Sequence, residues 1–396
     1  MSRVITEQAK IQELLIRSIE KIYPSPEFLE QKLKSGRELS IYLGIDPTGP
    51  DLHLGHSVEL LVLKRFQELG HKIIIVIGGF TARIGDPTGK DATRRPLGES
   101  EVKKNAQKYK SQIFKILSSR RTGFQNNSRW LDKLTFKEVV KLASFKTVQQ
   151  LLDRDMFKRR IQKSEPIGLH EFLYPLMQGY DSVALKIDGE IGGSDQTFNM
   201  LIGRDLEKEY LGKEKFVLTT RLLVDPRTGK KMMSKSEGSF ISLSDRPQEM
   251  YAKILSLPDE AVFELFELCT EVEREKIESF KSGDILLAKH ELAFEITKIY
   301  HGDSGAFLAR EEFNRVFREK EMPQEIPEFS GSGSMLIDFM IKFGLAKSRS
   351  EAKSLIEQGA VRVNREMIKI KSDWNYELRE GDVIQVGPRK FARVKG

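Results

Sequence analysis

Two short runs in the N-terminal part of the chain, IYLGI (41–45) and KIIIVIGG (72–79), are rich in β-branched residues and close on glycine, which predicts buried strands. Between them Val62, Phe66 and Leu69 recur at i, i+4 and i+7, and Gly70 follows as a stop, which predicts a helix. Strand, helix and strand with short connections make a βαβ unit, so an α/β fold with a parallel sheet is expected. Residues 97–165 are charged and mostly helical in pattern, as in ESEVKKNAQKYKSQIFKIL, and read as an insertion that interrupts the sheet. Sheet-like runs return at 183–193 and 216–224. From 247 to 320 the pattern is helical, with Ala306, Ala309, Phe313 and Val316 on one face. EMPQEIPEFSGSGS (321–334) has no period and reads as a linker. Beyond it two helical stretches precede the short strands AVRVN and VIQVG.

The chain has 396 residues, 39% hydrophobic and 31% charged, enough for two or three folded domains and unlike a disordered composition. Its longest apolar run, IIIVIGGF (73–80), is far short of the ~20 residues that span a bilayer, so no membrane association is expected. The N-terminus MSRVITEQAK has no apolar stretch of the secretory kind. A single cysteine, Cys269, excludes an internal disulfide framework and a multi-cysteine zinc site, and a cytoplasmic location is expected. Cys269 reads as a core residue, and His71 and His170 as packing or surface residues. Charge is uneven: residues 331–396 hold 13 Lys and Arg against 8 Asp and Glu, a net +5 of the chain's +7. A small basic module at one end points to a polyanionic partner, nucleic acid ahead of membrane, or to a solvated basic surface.

Two motifs carry candidate chemistry. DPTGPDLHLGH (46–56) places a Pro/Gly turn after a strand and two histidines at i and i+3 where a helix begins. Unsatisfied backbone N–H groups and the positive end of the helix dipole make such a start an anion site, and the imidazoles add donors for phosphate. Gly55 leaves room for a ligand to approach the backbone. His-x-Gly-His alone also fits a capped helix with two surface histidines, but the preceding Asp-Pro-Thr-Gly favours the anion site. GKKMMSKSEG (229–238) packs lysines and serines between glycines, as in a loop that closes over polyphosphate, or in an exposed charged turn. Set on opposite halves of one parallel sheet, the two would hold ATP across its switch point.

At these residues a resemblance becomes specific. His53-Leu54-Gly55-His56 is similar to the HIGH signature, and Met233-Ser234-Lys235-Ser236 to the KMSKS loop, of class I aminoacyl-tRNA synthetases. Tyr42-Leu-Gly-Ile-Asp46-Pro-Thr48, Gly85-Asp86-Pro, Tyr174-Pro-Leu-Met-Gln178-Gly-Tyr-Asp181 and Gly192-Gly-Ser-Asp195-Gln196 follow in the order and at the spacing of the bacterial tyrosyl enzymes. GLAKSRSEAKSLIEQGAVRVN (344–364) resembles an RNA-binding fold named for a small-ribosomal-subunit protein. The resemblance spans essentially the whole chain.

The resemblance implies a Rossmann-like catalytic domain over 1–240 with a connective, dimer-forming insertion at about 97–165. A helical anticodon-side domain (241–320), a linker (321–334) and an α+β RNA-binding domain (335–396) would follow. It implies tyrosine activation with ATP and Mg²⁺, transfer to tRNA(Tyr), and a homodimer. Tyr42 and Asp181 would hold the phenol hydroxyl; Asp86, Tyr174 and Gln178, with Thr81 nearby, the ammonium; and Gln196 the carboxylate. Independently of the resemblance, Tyr174, Gln178 and Asp181 fall at i, i+4 and i+7, on one helix face. Thr48, His53, Lys235 and Ser236 would hold the β- and γ-phosphates, His56 the ribose side, and Asp195 the ribose. Gly44, Asp46, Gly55, Gly192 and Met233 complete the implied nucleotide set.

One departure is visible: Met232 stands where the loop signature has lysine. Either Lys231 reaches the pyrophosphate, or Lys235 acts with less help. The competing readings are a tryptophanyl enzyme, a non-catalytic RNA-binding relative and a nucleotidylyltransferase of small metabolites. A phenol-matched Tyr42 and Asp181, intact phosphate motifs and the basic tail argue against each in turn.

Overall fold

The computed structural model describes residues 4–88, 97–233, 240–317, 326–364, 366–368, 376–387 and 390–396, and the chain forms two compact units, Met1–Ala306 and Phe307–Gly396. The first is built on a six-stranded sheet of β1 (Ile19–Tyr23), β2 (Ser40–Ile45), β3 (Lys72–Ile77), β4 (Thr122–Asn126), β5 (Gly189–Gly193) and β6 (Phe216–Thr220). Their spatial order is β1-β6-β5-β2-β3-β4, with β1 antiparallel to β6 and the other neighbours parallel. Every residue of β5 and β6 is buried, as expected of parallel strands covered on both faces.

Helix α1 (Leu54–Glu68) connects β2 to β3, α2 (Leu169–Leu185) leads into β5, and α3 (Thr197–Leu211) connects β5 to β6. From β2 the chain proceeds to β3 and β4 on one side, while β5 and β6 lie on the other. The two neighbours β2 and β5 share only two paired positions, Ile41 with Gly189 and Tyr42 with Glu190. The crevice beyond their C-terminal ends is the sheet's switch point, where open α/β sheets take ligands.

The helical reading of 247–320 holds as far as 317, and its last three residues lie outside the described ones: helices at Pro247–Leu255, Val262–Cys269 and Arg274–Lys281 precede α4 (Ile285–Phe317). α4 is kinked at Gly302 (φ +72°), and the boundary between the two units falls within it. Cys269 and His71 are fully buried, in keeping with packing roles.

Three sequence readings change. The run at 183–193 is part helix, because Val183 lies seven residues from Leu176 and packs with it against Ile202 and Leu206; only Gly189–Gly193 is strand. The charged insertion does not leave the sheet, since its TGFQN segment pairs parallel to β3 as an edge strand, half-exposed and without an apolar run to mark it. The stretch read as a linker contributes β7 (Glu328–Ser330), three residues long and too short to show a period. The second unit continues with α5 (Leu336–Lys342), α6 (Arg349–Glu357), β8 (Val361–Val363), β9 (Glu366–Ile368), β10 (Val383–Val386) and β11 (Lys390–Lys395), the strands ordered β7-β11-β10-β8-β9. Leu336, Phe339, Ala352, Ile356, Ile384 and Ala392 form its core.

Candidate active site

A cavity of about 230 Å³ opens at the C-terminal ends of β2 and β5. Of the residues expected from sequence, its wall holds Gly44, Asp46, His56, Thr81, Asp86, Tyr174, Gln178, Asp181, Gly192, Asp195 and Gln196. Glu59, Asn127 and Glu190 also line it and were not expected. Tyr42, Thr48, His53, Gly55, Lys231 and Met233 are not on that wall. Lys235 and Ser236 lie outside the described residues.

One half is a hydrogen-bonded set of acids, amides and hydroxyls around the inner face of α2. Tyr174 Oη donates to Asp46 Oδ2 (2.8 Å) and Thr81 Oγ1 to Asp46 Oδ1 (2.7 Å). Asp46, expected with the nucleotide set, is thereby tied to the amino-acid set. Gln196 Nε2 donates to Asp86 Oδ2 (2.7 Å), and Asn199 Nδ2 donates to the side-chain carbonyls of Gln178 and Gln196 (3.0 Å each). The deep end is Asp181, which accepts from Trp130 Nε1 at 2.7 Å and from Asn127 Nδ2 at 3.3 Å. Burial pushes the Asp181 carboxyl well above the usual carboxylate range, and these two donors pull it back. Burial and the nearby Asp46 push the Tyr174 hydroxyl far up, so it stays a proton donor.

Tyr42 and Asp181 are both buried, but each is bonded elsewhere. Tyr42 Oη lies 3.1 Å from Ser182 Oγ, which also receives Lys215 Nζ at 2.5 Å. Lys215 is fully buried and ion-pairs with Glu190, whose carboxyl reaches the cavity floor and accepts from Gln178 Nε2 at 3.4 Å. Tyr42 therefore meets the cavity through Ser182 and Glu190. In the sequence Lys215 looks like a surface lysine in a charged run. Asn127 and Trp130 sit in the insertion, about fifty residues from the acid they serve, and the rarity of tryptophan was their one signal.

The other half is the start of α1. His53 is its N-cap: His53 Nδ1 accepts from the Gly55 amide (3.1 Å), and His56 Nδ1 accepts from the His53 amide (3.2 Å). Both Nδ1 atoms act as acceptors, so each ring proton sits on Nε2. Burial pushes His56 down to about 4, which keeps it neutral. A side chain at position 55 would meet the His53 ring, its Cβ only 2.9 Å from Cε1, so glycine here lets that ring keep its capping position.

The second motif returns to the first. Met233 Cγ is 4.0 Å from that Cβ position at Gly55, Phe240 sits edge-on to His53 with centroids 5.5 Å apart, and Ser242 bridges to His53. Met232 is buried and its amide donates to the Leu223 carbonyl, so the position that carries lysine in the resembled loop is a packing position here. Lys231 extends instead to Asp195 Oδ2 (2.7 Å).

The family described as tRNA synthetases class I (W and Y) matches residues 34–318, and the S4 domain matches residues 336–384. A tyrosine–tRNA ligase of Moorella thermoacetica is 46% identical over 98% of this chain and 96% of its own. One of Thermotoga maritima is 43% identical over 98% of each chain. Among solved structures, a C-terminally truncated mitochondrial tyrosyl-tRNA synthetase of Aspergillus nidulans shares the fold with TM-score 0.66, at 24% identity over 78% of this chain and 95% of that one.

Proposed function

The chain belongs to the class I tRNA synthetases of the W and Y family, and from that premise we propose that it is a tyrosine–tRNA ligase whose amino-acid and nucleotide sites are the two halves of this cavity. The observation that carries the reading is their junction at one switch point: a buried polar floor of Asp181 and Glu190 beside a helix start capped by two histidines. A phenol hydroxyl donates to Asp181 and so favours its carboxylate form, which burial otherwise disfavours. Phenylalanine offers no such donor and leaves a buried acid unserved. Asp86, Tyr174 and the Gln178 carbonyl surround the substrate ammonium, Asp46 and Thr81 hold Tyr174 in place, and Gln196 serves the carboxylate.

In the first step the tyrosine carboxylate attacks the α-phosphorus of ATP. A new P–O bond forms, the bond to the bridging oxygen breaks, and pyrophosphate leaves with the electron pair. The attacking group is already ionised, so no general base is needed, and positioning with charge stabilisation supplies the acceleration. His53 and Thr48, with Lys235 and Ser236 of the second motif, hold the phosphates, and neutral His56 donates from Nε2 to the ribose side. Mg²⁺ bound with ATP would be held mainly by phosphate oxygens and water and would offset charge on the leaving pyrophosphate. Lys231 is paired with Asp195 and must leave it to reach the pyrophosphate. In the second step a terminal ribose hydroxyl of tRNA(Tyr) attacks the adenylate carbonyl and AMP departs.

The chain acts as a homodimer through the insertion, a reading supported by its exposed apolar residues Phe136, Val140, Val148 and Ile161. Residues 241–320 face the anticodon side and 335–396 clamp the RNA, and the chain acts in the cytoplasm, a reading supported by its likeness to bacterial tyrosine–tRNA ligases. The test is exchange of labelled pyrophosphate into ATP, expected with tyrosine and not with phenylalanine or tryptophan. Tyrosine-independent exchange, or exchange driven by tryptophan, overturns the reading.

A further inference from the structure

We propose that Glu59 is a specificity-determining residue of the nucleotide half, its carboxylate accepting a hydrogen bond from a ribose hydroxyl of bound ATP opposite Asp195. The inference rests on the ligase reading above and adds to it a residue that neither motif contains.

Glu59 follows His56 by three positions on α1, so the two share a helix face, and both line the cavity. Its Oε2 is shut off from solvent and finds no hydrogen-bond partner among the described residues. A buried polar atom left unserved is costly and rare in a folded chain. The opposite wall presents a second acid. Around the position a Cβ would take on Gly193, Asp195 Oδ1 stands at 2.6 Å and Glu59 Oε1 at 3.5 Å, so two carboxyl groups from different elements converge where the backbone carries no side chain. Lys231 compensates Asp195 at 2.7 Å. Among the described residues no cation stands so close to Glu59: burial pushes its carboxyl up to about 7, a hydrogen bond from its own backbone opposes the rise, Asp195 adds to it and Lys231 opposes it in part.

Stability does not explain an acid here. The adjoining α1 residues Leu60, Leu61, Val62 and Leu63 are wholly buried, and an apolar side chain at 59 would extend that packing without the desolvation cost. What Glu59 Oε2 lacks among the described residues is a hydrogen-bond donor. Phosphate is excluded by like charge next to two acids, whereas a vicinal diol brings two hydroxyl donors on adjacent carbons, one for each carboxylate. A hydroxyl bonded to Glu59 also favours its ionised form, so ligand binding relieves the cost the free site carries.

The test compares ATP with 2′-deoxy-ATP and 3′-deoxy-ATP in tyrosine-dependent pyrophosphate exchange, using the full-length native chain, E59A and E59Q. Loss of a hydrogen bond to a charged group corresponds to about a ten- to hundredfold effect. E59A is expected to raise the KM for ATP by that factor, to leave the KM for tyrosine unchanged, and to leave exchange with at least one of the deoxynucleotides at the native rate. E59Q, which keeps an acceptor oxygen, is expected to retain most of the preference for ATP. E59A slowing all three nucleotides equally, or none of them, overturns the assignment, and an unchanged tyrosine KM in the same variant separates that result from misfolding. Absence of tyrosine-dependent exchange in the native chain overturns the ligase reading instead.

Discussion

The side chains that decide specificity are the ones whose cost of burial is visible. Asp181 is an acid in a dry place, held by Trp130 and Asn127. D181N is expected to raise the KM for tyrosine by about tenfold or more while the KM for ATP stays near native, because the amide loses a charge-assisted bond to the phenol. Exchange kinetics at varied tyrosine measure it. Lys215 and Glu190 are an ion pair almost without exposure. K215M leaves a buried carboxylate alone and is expected to cost about 3–5 kcal/mol, whereas K215M with E190Q recovers much of the loss; denaturant melts read both. His71 gives a pH prediction. Burial holds it at about 4 against an ordinary 6.5. Its pKa is depressed in the fold, so between 4 and 6.5 the unfolded chain binds more protons, and this residue's contribution to stability is lost as pH falls through that window, to a limit of about 3 kcal/mol. Glu59 and Glu207, both pushed up to about 7, act in the opposite sense from about 7 down to 4.5, so the difference between native and H71N melts isolates the histidine. At this scale the sequence was legible where a helical period put Tyr174, Gln178 and Asp181 on one face. It said nothing of Glu190 and Lys215, and of Asn127 and Trp130 no more than that tryptophan is rare, because their roles exist only once three distant segments are brought into contact.

Elements were legible in proportion to how completely they are buried. β2 and β3 announce themselves because parallel inner strands need apolar residues on both faces, and α1 because Phe66 must pack on Phe216, their rings stacked 5.9 Å apart. The edge strands β1 and β4 were missed for the converse reason: IEKIY carries two charges and TGFQN no apolar run, since an edge is half-solvated. The same logic makes the insertion's exposed apolar residues informative. In the helix Phe136–Ala143, Phe136 is 85% exposed and Val140, one turn on, 53%. A ridge of that kind is expected to be covered by a second copy of the chain. F136E is therefore predicted to shift sedimentation from dimer to monomer while leaving the melting temperature of the fold nearly unchanged, since the residue makes few contacts within its own chain. A variant that still sediments as the native chain does would place the contact elsewhere.

Across the molecule the division of labour follows the division into two units. Both halves of the cavity belong to Met1–Ala306, so adenylate formation is expected to need nothing from the tail. The second unit has its own core and its own sheet, and that sheet exposes a basic face. Arg393 stands opposite Val383 and Arg362 opposite Gln385, two positions apart along β10, so both arginines project from the same side of β10's two neighbours. Lys395 continues the row along β11, where it pairs with Glu328 of β7 at 3.8 Å, and exposed Lys342, Lys347 and Arg349, the last paired with Asp338, lie on and between the helices of the same unit. Charges arrayed on a rigid sheet bind a phosphate backbone by displacing counterions, so affinity falls steeply with salt. Removing residues 331–396 is accordingly expected to leave tyrosine-dependent pyrophosphate exchange within about twofold of native and to weaken tRNA charging strongly. R362E with R393E should reproduce much of that loss in the full chain and flatten its salt dependence, because each arginine that contacts phosphate contributes about one unit to the slope. Equal loss of exchange and charging on truncation would mean that the tail supports the catalytic unit directly, and charging by the double variant with the native salt slope would move the RNA contact off this face.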